Sequence, residues 1–285
     1  MKKMKKMKKM NKFPWLAGAA FSVLLLSGSG GASGADDISL DGQLEAKAPA
    51  IVTVKYVWKA GDYEAHQEVR GVMVDGTGLV MLSGATMGGD GAPIDLKILF
   101  GNDAKEWASV LVARDSLLDL AYVQILDTEG KTFDAVDLSK GGEMKVGQSL
   151  FGVTRGSRGF DFAPAIRRLY VSGKVEKPRP MWDFGGDFKE VGLPAFDAAG
   201  RPVAVLVNQQ ASEGAEEGGS EIFLLPLDAV GKSLAQAKKR VPDAIAKGKA
   251  QKSEKTEKTE KPDEPPAMGD EPKPPEPATP EQPPK

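Results

Sequence analysis

The sequence predicts an all-β protein of two antiparallel β-barrel or sandwich halves, followed by a C-terminal helix. Three observations predict it. Short apolar runs alternate with turn residues and show little helical periodicity; the polar segment Asp127 to Gly142 divides these runs into two series of similar size; and an amphipathic stretch begins after Pro226.

In the first series, Ala48 to Trp58 carries Ile51, Val52, Val54, Tyr56 and Trp58, which include one apolar face at period two. Glu68 to Leu82 follows, where Val69, Gly71, Val72 and Val74 lead through Asp75-Gly76-Thr77-Gly78 into Leu79-Val80-Met81-Leu82; Asp-Gly between apolar runs is a hairpin signal. Asp95 to Phe100 and Trp107 to Arg114 pair around Gly101-Asn102-Asp103, and Leu118 to Leu126 completes the set. The second series is Ser149 to Thr154, Ala165 to Val175, Ala195 to Phe196, Pro202 to Val207 and Glu221 to Leu225, with Asp197 to Gly200 as a polar hairpin turn. Pro178 to Gly186, marked by proline and glycine, reads as a loop. In the helix, Leu227, Val230, Leu234, Ala237 and Val241 recur every three or four residues, Asp228 is the N-cap, and Pro242 is the expected stop.

Composition sets the compartment. The chain of 285 residues has a formal net charge of -2, which gives no global electrostatic reason to expect nucleic acid as a partner, and it has no cysteine, so stability comes from packing alone. Lysines 2, 3, 5, 6, 8, 9 and 12 precede the apolar run Phe13 to Leu26 and the small residues Ser27 to Ala35, the pattern of a secretory signal peptide over 1–35. The apolar run falls short of the roughly 20 residues an uncleaved anchor needs, so no stable membrane insertion is expected after cleavage. The expected product is exported, periplasmic or extracellular, with a flexible segment at 36–45 and a globular domain at 46–241. That domain divides into barrel one at about 46–127, barrel two at about 140–226 and the helix 227–241. Residues 242–285, rich in Lys, Glu and Pro, lack the apolar content to offset ordering entropy and are expected to be disordered.

Four stretches carry a resemblance. They are Ala48-Pro49-Ala50-Ile51-Val52; the glycine-rich hairpin Gly71 to Leu82; Ala113-Arg114-Asp115 followed by Asp119-Leu120-Ala121-Tyr122-Val123; and Gly147-Gln148-Ser149-Leu150-Phe151-Gly152-Val153. In this order and spacing, from about Ala48 to Ala237, they resemble the trypsin-like serine protease domain of the HtrA (Deg) type, without a PDZ domain. The resemblance implies a double six-stranded antiparallel β-barrel with a C-terminal helix. It also implies where a catalytic triad would stand. The family's nucleophile loop Gly-Asn-Ser-Gly-Gly-Pro, aligned on Pro194 and Gly200, puts Val191 at the serine; the histidine, seven residues after the glycine matched by Gly78, falls on Ala85; Asp119 matches the aspartate.

A serine hydroxyl attacks only when an imidazole takes its proton, and the aspartate only orients that imidazole. With Ala85 and Val191 in those places, no catalysis is expected. The family's oxyanion glycine falls on Lys189, which resists positive φ. Asp119 is expected to be structural, accepting backbone amides near Ala85. His66, the one histidine, reads as a surface residue, and Ser83 lacks a base to activate it; no metal or cofactor is expected. Glycines 28–31 and 214–219 do not sit between strand and helix as a phosphate loop requires.

Candidate binding residues are Met181, Trp182 and Phe184, large apolar groups in the Pro178 to Gly186 loop. Arg155, Arg158, Arg167 and Arg168, which flank a loop after the first strand of barrel two, and Glu213, Glu216, Glu217 and Glu221, which crowd the loop after Val207, are a second candidate region. The resemblance thus implies a pseudoprotease that binds a polypeptide or protein partner, a module of envelope protein quality control. Two other readings stay open: an active serine endopeptidase with a misassigned or relocated nucleophile, and a structural envelope protein acting through its charged tail.

Overall fold

Among the described residues, twelve strands are strung in two runs of six, and the hydrogen bonding closes each run on itself. The computed structural model describes residues 39–61, 63–88, 93–210 and 220–260. The expected signal peptide, the glutamates at 213, 216 and 217 and most of the expected disordered tail lie outside the described residues. The first run is β1 (Ile51–Ala60), β2 (Tyr63–Asp75), β3 (Leu79–Ser83), β4 (Ile94–Phe100), β5 (Trp107–Asp115) and β6 (Leu120–Ile125). The second is β7 (Ser149–Arg155), β8 (Pro164–Val175), β9 (Met181–Gly186), β10 (Pro194–Phe196), β11 (Pro202–Gln210) and β12 (Ser220–Pro226). Neighbours run β1-β2-β3-β6-β5-β4 in one closed barrel and β7-β8-β9-β12-β11-β10 in the other, so the two share one topology. The chain is therefore the expected all-β double barrel, each barrel with six antiparallel strands.

Local chemistry sets the strand ends. Pro164, Pro194 and Pro202 each open a strand, where a missing N–H interrupts no ladder. At the β2–β3 turn, Gly78 has φ +96° and donates its N–H to the Asp75 carbonyl at 3.0 Å, while the Asp75 carboxylate accepts from Thr77 N at 3.0 Å. Inward alternation then fills the barrels with Ile51, Met73, Leu79, Tyr122, Phe188 and Phe196, all fully buried.

Three local expectations differ from the structure. First, Met181–Gly186 is the strand β9 and not a loop. Its glycines answer close packing: the ring of Tyr170 sits 2.4 Å from where a Cβ on Gly185 would be, and Gly186 holds φ +125° against the Arg168 carbonyl. Second, the segment expected to be flexible contains the helix α1 (Leu40–Lys47), with Ser39 Oγ accepting from Gly42 N at 3.4 Å. Leu40 and Leu44 pack on the core, and Gln43 is buried where Gly200 leaves room for its amide; two leucines in eight residues give too little periodicity to read. Third, the last helix, α2 (Leu227–Glu260), continues through Pro242. Pro242 is exposed, and beyond it buried Ala244 and Gly248 extend the packed stripe. A Cβ on Gly248 would lie 2.7 Å from Leu126 and 3.2 Å from Val110. Small residues seat this helix on β5 and β6, so a search for large apolar groups ends it too early.

Candidate functional site

The two barrels meet where Asp119 leaves the turn before β6 in a left-handed conformation, φ +55°, which aspartate tolerates better than most residues. Its carboxylate is 6% exposed and accepts on both oxygens. Oδ1 takes the N–H of Ala85 at 2.5 Å, Oδ2 takes the N–H of Asn208 at 2.8 Å, and Ser83 Oγ lies 3.1 Å from each oxygen. The Asp119 carbonyl also receives Gly84 N at 2.8 Å. Asn208 belongs to β11, so this one side chain of barrel one fastens a strand of barrel two. Burial raises the Asp119 pKa above the ordinary aspartate value; the N–H groups of Asn208 and Ala85 and the Ser83 hydroxyl oppose that shift without cancelling it.

Gly192 closes the seam from the other barrel. It has φ +88°, donates its N–H to Leu206 O at 2.7 Å, and passes so close to β3 that a Cβ would stand 2.2 Å from Ser83 N. The residue before it, Val191, lines an open cleft of about 790 Å³ together with Thr86, the neighbour of Ala85. The turn at Glu190 is held by Leu193 N donating to Glu190 O at 3.3 Å. Lys189 keeps a negative φ and lines a separate cavity beside Asp183, Phe184 and Ile222. The preceding Phe188 is fully buried, its ring 2.2 Å from where a Gly152 Cβ would be.

A second set of seam contacts uses cations. Arg155 donates from Nε to Ile51 O at 2.7 Å, from Nη2 to Ala48 O at 2.6 Å and from Nη1 to Phe162 O at 3.1 Å. Arg70 answers from β2, with Nε to Arg155 O at 3.0 Å, Nη2 to Gly156 O at 2.7 Å and Nη1 to Thr53 Oγ1 at 3.1 Å. Burial and then the neighbouring Arg70 lower the Arg155 pKa, which leaves it charged.

No family model matches the chain, and no curated protein sequence does either. Solved structures do. Deg5 aligns with TM-score 0.51 and 20% identity over 68% of this chain and 90% of that one. The HtrA-type protease AlgW with a tripeptide aligns with TM-score 0.52 and 16% identity over 70% of this chain. The chain has the trypsin-like fold of HtrA-type protease domains. It spans 63% of the AlgW chain. The MamO protease domain from Magnetospirillum magneticum, apo form, aligns at TM-score 0.48 with 16% identity, over 66% of this chain and 97% of that one.

Within this trypsin-like fold the sequence-derived positions are placed as follows. Ala85 and Asp119 are in direct hydrogen bond, and Val191 lines the cleft next to Gly192 at the same seam. His66 is exposed on β2 opposite Val57. Ser83 is 3% exposed and donates to Asp119. Met181 is buried in the core and cannot meet a partner in the folded domain. Trp182 and Phe184, two residues apart on β9, share a half-buried face, and Phe184 lines the cavity with Lys189. Arg167 and Arg168 are exposed and line different cavities. Asn208, Arg70 and Thr154 were not foreseen. Asn208 lies 89 positions from Asp119, and no local pattern announces such a contact.

Proposed function

We propose that this chain is an exported trypsin-like domain that has no proteolytic activity and binds extended polypeptide or a protein partner in the cell envelope. One observation carries the reading: the Asp119 carboxylate is fully occupied by Ser83 Oγ, Ala85 N and Asn208 N, with no imidazole beside it. The only histidine in the chain stands elsewhere, on β2. The aspartate therefore orients nothing that could accept a proton from a nucleophile, and Val191 offers no nucleophilic atom. A relocated nucleophile at Ser83 is opposed by its burial and by the lack of an imidazole beside it; the carboxylate it meets, Asp119, also accepts from Ala85 N and Asn208 N. Strand β11 supports peptide capture only at its far end, because Leu206 already pairs with Gly192 and Leu193 and Asn208 N is held by Asp119, while the strand runs on to Gln210.

Export rests on the lysine-rich, apolar N-terminal stretch; among the described residues no helix is long and apolar enough to cross a membrane. The reading includes no cofactor and no nucleic acid partner. Labelled, unfolded casein mixed with the purified chain tests binding and cleavage together. The expected result is a rise in anisotropy, no new fragments after long incubation and no covalent labelling by a fluorophosphonate probe. Fragments or a labelled serine would show an active protease and overturn the reading.

A further inference from the structure

The cleft that reaches Val191 also holds polar groups that the remnant of the triad does not use. Its walls include Glu68 and Arg70 from β2, Thr154 and Arg155 from β7, Arg167 from β8, and Glu190. Thr154 is 6% exposed, yet its Oγ has no hydrogen-bond partner among the described residues. A buried hydroxyl left unpaired is uncommon, because desolvating it without a partner is unfavourable. Arg167 makes no ion pair with any described residue and lies on the same wall. Among the described residues, Arg70 and Arg155 hydrogen-bond only to carbonyl and hydroxyl oxygens, and Arg70 also lies 5.7 Å over the Phe162 ring; of the five N–H groups on each guanidinium, the bonds present use about three.

The connection that supplies Phe160 and Ala163 to the cleft wall is strained between them. Asp161 and Phe162, successive residues of the β7–β8 connection, both have φ 52°, and Arg155 Nη1 fixes the Phe162 carbonyl between them and the seam. Among the described residues that line the cleft are three guanidiniums and two carboxylates, and Glu68 also lies 3.8 Å from Lys55. The excess is a single positive charge, which suits a monoanion better than a dianion such as phosphate.

We propose that this cleft receives a carboxylate of a bound polypeptide, with Thr154 Oγ donating to it and Arg167 supplying the opposing charge. The inference rests on the polypeptide-binding reading and names the group that the site recognises. Arg70 and Arg155 hold the walls, and Thr154 and Arg167 select the ligand.

The test uses the full chain and one extended, neutral decapeptide in three forms: a free C-terminal carboxylate, a C-terminal amide, and the amide with one internal glutamate. Fluorescence anisotropy should give the free acid about tenfold tighter binding than the amide. Recovery by the glutamate peptide would support the site with a side chain as the carboxylate source; no recovery would support the chain terminus. Thr154→Val and Arg167→Gln should each weaken binding of the free acid far more than binding of the amide, removing most of that preference, and leave Tm at or above the parent value. Equal binding of acid and amide, or variants that weaken both alike, would overturn the carboxylate site while the polypeptide reading stands. Failure of every peptide to bind would overturn both.

Discussion

One part of the barrel seam is held by a carboxylate that gathers donors, and another by guanidiniums that gather acceptors. Asp119 takes Ser83 Oγ, Ala85 N and Asn208 N, whereas Arg155 gives to the carbonyls of Ile51, Ala48 and Phe162. Neither uses an ion pair. A charge satisfied by neutral backbone groups fixes those groups in place, and removing it strands them all at once. The two regions differ in room. The carboxylate is buried among its three donors, whereas the guanidiniums border an open cleft.

The comparison is broken most directly at Gly192, where both barrels touch. Gly192→Ala forces a side chain into the Ser83 backbone at φ +88°, and a loss of about 3–5 kcal/mol is expected in urea unfolding. A loss below about 1 kcal/mol would mean that the barrels are not in contact there. Next is Asp119→Ala, which strands two N–H groups and one hydroxyl and should cost about 3 kcal/mol.

The pH dependence at Asp119 sharpens the same point. Its folded pKa is raised above 3.8, so the folded state holds the proton more tightly than the unfolded chain does. The contribution is therefore full below the usual aspartate value and is lost as pH rises through the folded one. Relative to Asp119→Asn, the parent should lose stability over that rise; a gain would reverse the assignment.

Arg155→Met keeps the aliphatic stem but removes three bonds to carbonyls, and about 2–3 kcal/mol is expected, somewhat less than at Asp119 because the cleft admits water. The smallest effect belongs to Lys238, whose Nζ meets Asp75 Oδ2 at 2.6 Å with both side chains partly exposed. Lys238→Ala should cost below about 1 kcal/mol. The Asp75 pKa is lowered by Lys238 and then by Thr77, so this contribution is present above the usual aspartate value and disappears as pH falls through the lowered one. Paired melts of parent and variant at neutral and acid pH would read the difference.

Much of the architecture was legible because alternation and turn chemistry are local. Val72, Gly78 and Leu79 announce the β2–β3 hairpin through a period of two and a glycine that must reach positive φ. The strand β9 was hidden because Gly185 and Gly186, which read as loop residues, are small where Tyr170 and the Arg168 carbonyl crowd them. The far half of α2 was hidden for a related reason, since Ala244 is buried and Gly248 approaches Val110 of β5 closely, and both add almost nothing to an apolar pattern. In both places the informative property is the absence of a side chain, and only the neighbour reveals why it is absent.

What the chain alone determined is which side chains are present: alanine at position 85, valine at 191 and a single histidine at 66, because side-chain chemistry is covalent and survives any fold. It also determined two β-rich halves, because alternation is read residue by residue. The tertiary structure decided which groups those residues meet. Asn208 N on Asp119, Arg70 across from Arg155 and the unpaired Thr154 hydroxyl arise from closing two barrels against each other, which brings together residues tens of positions apart that no local rule relates.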